Sequence, residues 1–277
     1  MAQIATDPSE ETQRDPSATH VDRVLDILEV LARSARPCLL GEVAAAVGAA
    51  KPTTHRLLSA LVRRGYAAHD ADAGEYRIGI RCFELGSLWA ASLDLRELAA
   101  PHLRRLNAVT RETVHLAIYD HGDAVYIDKL DSPLPVVASS FVGRRCPASS
   151  VATGRVLLAY QPEREVGRVL EEPLPRFTDA TVTDPAALRD LLDEVRRTGV
   201  GVNHGSYRDG VGGLAVPVRD RTGLVVAAVG VCLPEMRFGA DRLAALRDEV
   251  AAAGRGISAD LGHVEPLAAA ERARLPG

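Results

Sequence analysis

The sequence predicts an α+β protein in two parts, an N-terminal group of helices closed by a hairpin and a C-terminal antiparallel sheet with flanking helices. Three observations carry that prediction. Between Thr19 and Arg64, apolar residues recur at helical spacing in three runs. Between Gly65 and Ile78, two short strand-like runs flank the turn Asp70 to Gly74. From Thr113 onward, strand-like runs stand before, between and after helical ones, which favours antiparallel pairing over a repeated parallel crossover.

The first helical run, THVDRVLDILEVLARS, places Val21, Val24, Leu25, Leu28 and Leu31 on one stripe, with Asp22, Arg23, Asp26 and Glu29 between them. After the break at Arg36-Pro37, a second helix is expected from Leu40 to Val47, ended by Gly48. Pro52 suits the first turn of a third helix, in which Leu57, Leu58 and Leu61 share a packing face and Thr53, Arg56, Ala60 and Arg63 lie elsewhere. The strand-turn-strand from Gly65 to Ile78 completes a winged helix-turn-helix. Residues 81–111 continue as helix, broken near Ser92 and restarting at Asp94. Strands are expected in TVHLAIYD, DAVYIDKL, PVVASS, VGVNH, GLAVPV and LVVAAVGVCL, with helices from Ala152, from Asp184 and over 240–261.

Charge is distributed unevenly. The chain of 277 residues has a formal net charge of -4, so it carries no overall basic field that would attract nucleic acid. From Val43 to His69, however, there is no acidic side chain, whereas residues 19–92 as a whole hold nine Lys or Arg against eight Asp or Glu. A helix fits the major groove, and its positive N-terminal end suits phosphate, which gives an acid-free third helix a physical reason. On that basis Lys51, Thr53, Thr54, His55 and Arg56, with Arg77 in the wing, are the expected DNA-binding residues. A winged module this weakly basic offers few contacts alone. Two-fold pairing is therefore expected, with a seam around Leu85, Leu88 and Trp89.

Other classes find less support. Cys38, Cys82, Cys146 and Cys232 show no paired metal spacing and read as thiols in a reducing cytosol. The polar N-terminus has no export-type apolar segment, and the run 224–233 is too short to span a bilayer, so a cytoplasmic protein without membrane contact is expected. No phosphate loop, nucleophile elbow, cofactor or metal motif is present. Two further readings stay open. The chain could be an enzyme using His115, Asp120, His121 and Asp123 as an acid–base set, although D-H-G-D is ordinary turn chemistry; or the winged helix could meet another protein. Specific, salt-dependent retardation of an upstream DNA fragment separates DNA binding from both.

The recognition stretch KPTTHRLLSALVRRGY, the wing Tyr76-Arg77-Ile78-Gly79, the arm segment DLRELAAPHL, then ETVHLAIYD, VGRRCP, ATGRVLLA, TDPAALRDLLDEVRRTG and GGLAVPV resemble IclR-type transcriptional regulators, in unbroken order from Thr19 to His263. Residues 1–18, polar, net acidic and rich in Pro, Ser and Thr, are expected to be a disordered tail, and the resemblance implies a winged helix-turn-helix over 19–80, a helical connector over 81–110 and a GAF-like effector-binding domain over 111–264, followed by a tail over 265–277. It also implies operator DNA and a small organic acid as partners, a homodimer or tetramer, and no catalytic role. Several positions depart from the family pattern. Pro147-Ala148-Ser149-Ser150-Val151-Ala152 lacks a His and a Thr, Asn203-His204-Gly205-Ser206 replaces an acidic run, Gly213 stands for a cysteine, and Gly230 and Cys232 stand for a serine pair. The expected effector residues are thus Val151, Ala152, Asn203, Gly213, Gly230 and Cys232. With donors lost and glycines opening space, the expected ligand is larger and more apolar than glyoxylate or pyruvate.

Overall fold

The computed structural model describes residues 20–91, 94–136 and 140–264, with the backbone alone for 87–91 and 94. The chain divides into two compact units between Leu93 and Asp94. In the first unit, α1 (His20–Arg33), α2 (Leu40–Ala46) and α3 (Lys51–Arg63) pack around Ile27, Leu31, Val43, Leu57, Leu58 and Leu61. Ile27, fully buried, is the centre of the α1 contact, with Val24 and Leu28 beside it. Val21 and Leu25 are exposed, so the packing stripe runs about one residue round from the expected one. Gly48 takes the left-handed conformation, φ 62°, that ends α2, and Pro52 sits in the first turn of α3, where its missing N–H costs nothing.

The wing is a three-stranded sheet rather than a two-stranded hairpin. β2 (Ala67–Asp70) and β3 (Glu75–Ile78) pair antiparallel, and the short β1 (Cys38–Leu39) adds to the far side of β3. Asp70 shapes the turn, its Oδ1 accepting the N–H groups of Asp72 and Ala73. α4 (Ile80–Ala91) closes this unit.

The second unit begins with α5 (Asp94–Thr110) and is built on a six-stranded antiparallel sheet. Its strands are β4 (Thr113–Asp120), β5 (Asp123–Leu130), β6 (Arg145–Pro147), β7 (Gly201–His204), β8 (Val211–Arg219) and β9 (Val225–Pro234), in spatial order β6-β5-β4-β9-β8-β7. One face carries α5 and α9 (Ala240–Asp260), packed through Leu103, Leu106, Leu246 and Ile257. The opposite face carries α6 (Ala152–Ala159), α7 (Glu163–Glu171) and α8 (Pro185–Thr198), packed through Val156, Leu157, Leu188 and Leu192. Asp184 caps α8 by accepting the N–H groups of Ala186 and Ala187, which is why the helix starts there. Buried Glu112 accepts both Arg237 Nε (2.8 Å) and Nη2 (2.7 Å), and Arg237 also donates to the Val136 carbonyl, tying the chain after β5 to the chain after β9.

Two expectations change here. The strand expected in PVVASS is absent from Pro135, Val136 and Ser140, and residues 137–139 lie outside the described residues. The edge strand is instead β6, three residues long. α7 was not foreseen, because Gly167 and a dense run of charge hide its short apolar stripe of Val166 and Val169.

Candidate functional site

The outward face of α3 presents Lys51, His55 and Arg56 to solvent, with Thr53 half-buried. Arg56 Nη2 lies 3.1 Å from His20 Nε2 at the start of α1. Arg77 is exposed on β3, because its neighbour Tyr76 points inward and stacks on His69 at 4.4 Å. Thr54 corrects the expectation made for it. It is fully buried, and its hydroxyl donates to the Ala50 carbonyl at 3.2 Å, so it holds the first turn of α3 together and offers nothing outward.

In the second unit a cavity of about 50 Å³ lies against the sheet, lined by His115, Tyr126, Ser140, Arg144, Cys146, Val151, Asn203, Tyr207, Arg208, Val211 and Cys232. With roughly 10–15 Å³ needed per water position, this is room for about three to five waters. His115 and Tyr126, on adjacent strands, stack nearly parallel at 4.2 Å, 10° apart, and form an aromatic wall. Burial, reinforced by the Lys129 charge, brings the His115 pKa down to about 3. The ring is therefore neutral at physiological pH, and its Nε2 meets Ser140 Oγ at 2.6 Å. Lys129 donates to the Ser140 carbonyl, so Ser140 is held at both its hydroxyl and its carbonyl.

The charge in the lining is positive. Arg144 donates to Tyr207 OH at 3.0 Å and spreads over the Tyr207 ring, 5.3 Å from its centroid, while Arg208 stands exposed at the mouth. The thiols are inert by contrast: burial raises the pKa of Cys146, and that of Cys232 to about 12, so both stay protonated. Asn203 Oδ1 accepts the Ser206 N–H at 2.9 Å, which fixes the side chain at the cavity wall. Val151 is the N-cap of α6 and gives no side-chain cap.

Of the six expected effector residues, Val151, Asn203 and Cys232 line this cavity, and Ala152, Gly213 and Gly230 do not. The opened-space expectation is corrected. A Cβ on Gly230 would meet the Leu214 carbonyl oxygen at 2.5 Å and Ala215 Cβ at 2.8 Å, so this glycine permits a close approach of β8 to β9. At Gly213 a Cβ would meet the Val231 carbonyl oxygen at 3.3 Å and Ala152 Cβ at 3.5 Å. The expected loss of donors concerns the departing positions alone, and Arg144, Arg208, Ser140 and His115 bring further polar groups to the cavity. Twin arginines in VGRRCP were the available signal for Arg144, and burial separates it from Arg145, which pairs outside with Asp120 and Asp123.

The acid–base set does not assemble. Asp120, His121 and Asp123 occupy the exposed β4–β5 turn, whereas His115 pairs with Lys129 well along the strands. Among the described residues no cluster of three His, Cys, Asp or Glu could hold a metal, and no helix is long and apolar enough to cross a membrane.

Residues 20–71 match the model of the IclR helix-turn-helix domain, and residues 88–259, more than half the chain, match that of the bacterial transcriptional regulator IclR C-terminal domain. The HTH-type transcriptional regulator KdgR of Escherichia coli is 35% identical over 248 residues, covering 89% of this chain and 94% of its own. XynR, a further HTH-type regulator of that organism, is 32% identical over 90% of this chain and 99% of its own. An IclR homologue from Microbacterium hydrocarbonoxydans, solved in complex with 4-hydroxybenzoate, superposes with a TM-score of 0.76 at 31% identity over 88% of this chain and 99% of that one.

Proposed function

The chain belongs to the IclR family of bacterial transcriptional regulators, DNA-binding and non-enzymatic, and from that premise we propose that its C-terminal cavity senses a small carboxylic acid with an apolar or aromatic body, larger than glyoxylate or pyruvate. One observation carries the reading: arginines 144 and 208 and the stacked His115–Tyr126 wall line the same cavity. The arginines complement a carboxylate, the uncapped start of α6 reaches the cavity at Val151 and suits the same kind of group, and the aromatic wall suits a flat or branched body. Its volume bounds the buried part of the ligand, leaving the remainder to the mouth beside Arg208. The 4-hydroxybenzoate complex of the Microbacterium relative supports this class.

Lys51, Thr53, His55 and Arg56 on α3, with Arg77 in the wing, are the proposed operator contacts. A homodimer supplies two such modules. Leu85 and the exposed Ile80 and Phe83 on α4 support the expected seam, and the side chains of Leu88 and Trp89 lie outside the described residues. A cytoplasmic site of action follows from the DNA partner.

Calorimetry of the full chain tests the cavity. Benzoate and 3-methylbutanoate are expected to bind more tightly than glyoxylate or pyruvate and to shift retardation of an upstream DNA fragment. Glyoxylate binding as tightly as benzoate sinks the effector class. Light scattering that shows a monomer at micromolar concentration removes the dimer.

A further inference from the structure

Arg155, on α6, is a buried charge of unusual surroundings. It is 4% exposed, and its guanidinium meets only neutral acceptors: Nε donates to the Ser149 carbonyl at 2.9 Å, Nη1 to the Val202 carbonyl at 2.6 Å and Nη2 to Ser206 Oγ at 3.0 Å. Among the described residues no carboxylate comes within ion-pair distance of it. The other deeply buried charge, Glu112, has Arg237 against both its oxygens. Burial lowers the Arg155 pKa to about 10, which still leaves it protonated at physiological pH. A cation kept from water without a counter-charge is costly, and in that low-dielectric setting its potential reaches neighbouring polar space with little screening.

The three acceptors place that potential. Ser149 is two residues before Val151, Val202 adjoins Asn203, and Ser206 adjoins Tyr207, and all three of those neighbours line the cavity. Ser206 also gives its N–H to Asn203 Oδ1. Arg155 thus ties together, from behind, the approach to α6 and the β7–β8 connection, and it touches no part of the cavity lumen itself.

We infer that Arg155 is a positioning residue whose standing positive charge makes the cavity select an anionic ligand over its neutral isostere, while its hydrogen bonds hold Asn203 and the β7–β8 connection in place. This rests on the reading of the cavity as the effector site. An arriving carboxylate supplies the counter-charge that the fold leaves out, so the cost of burying Arg155 is partly recovered on binding.

The test uses the full chain and two matched pairs, benzoate with benzamide and 3-methylbutanoate with 3-methylbutanamide, titrated by calorimetry. In Arg155→Gln, affinity for the acids should fall about tenfold further than affinity for the amides, because both lose the hydrogen-bonded support of Asn203 and only the acids lose the charge–charge part. Arg155→Lys, which keeps the charge but not the forked geometry, should keep the acid-over-amide preference even where both affinities drop. Parallel loss of acid and amide in Arg155→Gln makes Arg155 a structural staple only and overturns the inference, as does no change in either. Should Arg155→Gln fail to fold, loss of the preference in folded Arg155→Lys overturns it. A wild type that binds neither pair overturns the effector-site reading, and the inference with it, an outcome distinguished by its appearing before any substitution.

Discussion

The two units use the same side chain in opposite settings. Around α3 and the wing, Arg56, Arg77 and Lys51 stand in water. In the second unit, Arg155 is buried, Arg144 half-buried against Tyr207, and Arg237 locked on buried Glu112. Coulomb interactions of exposed cations are damped by solvent and by salt within a Debye length, whereas buried ones keep most of their strength. The difference teaches how one chain can be loose toward one partner and selective toward another. On the proposed reading, contacts at α3 would gain affinity from ions released by a polyanion, and contacts at the cavity would gain discrimination from a fixed, buried charge. DNA affinity should therefore fall steeply between about 50 and 200 mM salt, and acid affinity should change little.

The largest effect is expected where a buried charge is stranded. Arg237→Met leaves the Glu112 carboxylate without its two donors and should cost about 3 kcal/mol of unfolding free energy in a urea titration. A cost below about 1 kcal/mol would mean that Glu112 is hydrated, and the contrast between the units would weaken. Next, Arg144→Leu should lower acid affinity about 10- to 100-fold, the range for losing a charge-assisted hydrogen bond, and leave ligand-free DNA binding intact. A loss of DNA binding without ligand would show that Arg144 acts on the fold of its unit and not on the ligand.

On the exposed side, Arg56→Ala should cost about 1–3 kcal/mol on the operator and relax preference among sequences, while Lys51→Ala should weaken all sequences alike and reduce the salt slope by about one. Retardation assays across a salt series separate the two, and wild-type affinity in both variants removes α3 as the reading helix.

His115 gives a finer test. Its folded pKa, about 3, lies below the ordinary histidine value of 6.5. Between these values the unfolded chain binds a proton that the folded one refuses, so stability is complete above pH 6.5 and falls as pH drops toward 3, by at most about 1.4 kcal/mol per pH unit. His115→Phe should flatten that part of the pH profile; an unchanged slope would place His115 in contact with water. The smallest effect belongs to Thr54→Val, expected to cost about 1 kcal/mol of stability for the lost bond to Ala50 and to leave DNA affinity unchanged.

Much of this architecture was legible in local pattern. The leucines of α3 sit inside at the spacing expected, Asp94 and Asp184 stand at the two helix starts where they were expected, and the alternation in TVHLAIYD and DAVYIDKL became β4 and β5. Less legible were elements whose signal is short or mixed: two-residue β1, three-residue β6, and α7 with its internal glycine. The site was read only in part. Val151, Asn203 and Cys232, three of the six residues expected to meet an effector, line the cavity, whereas Ser140, Arg144 and Arg208, which line it too, lie in irregular chain, where no periodicity says which way a side chain turns.

The sequence by itself determined the two-part plan, the acid-free third helix and the family, because each is written in the order and spacing of neighbouring residues. The tertiary structure decided what surrounds each group. It turned Thr54 inward, filled the space beside Gly230 with the backbone of β8, and left Arg155 buried without a carboxylate among the described residues. The reason is physical. Secondary structure answers to contacts a few residues apart, while the cavity is closed by strand pairing that brings His115 opposite Gly230 and sets Cys232 beside Thr113, and burial, charge and free volume exist only once those distant segments meet.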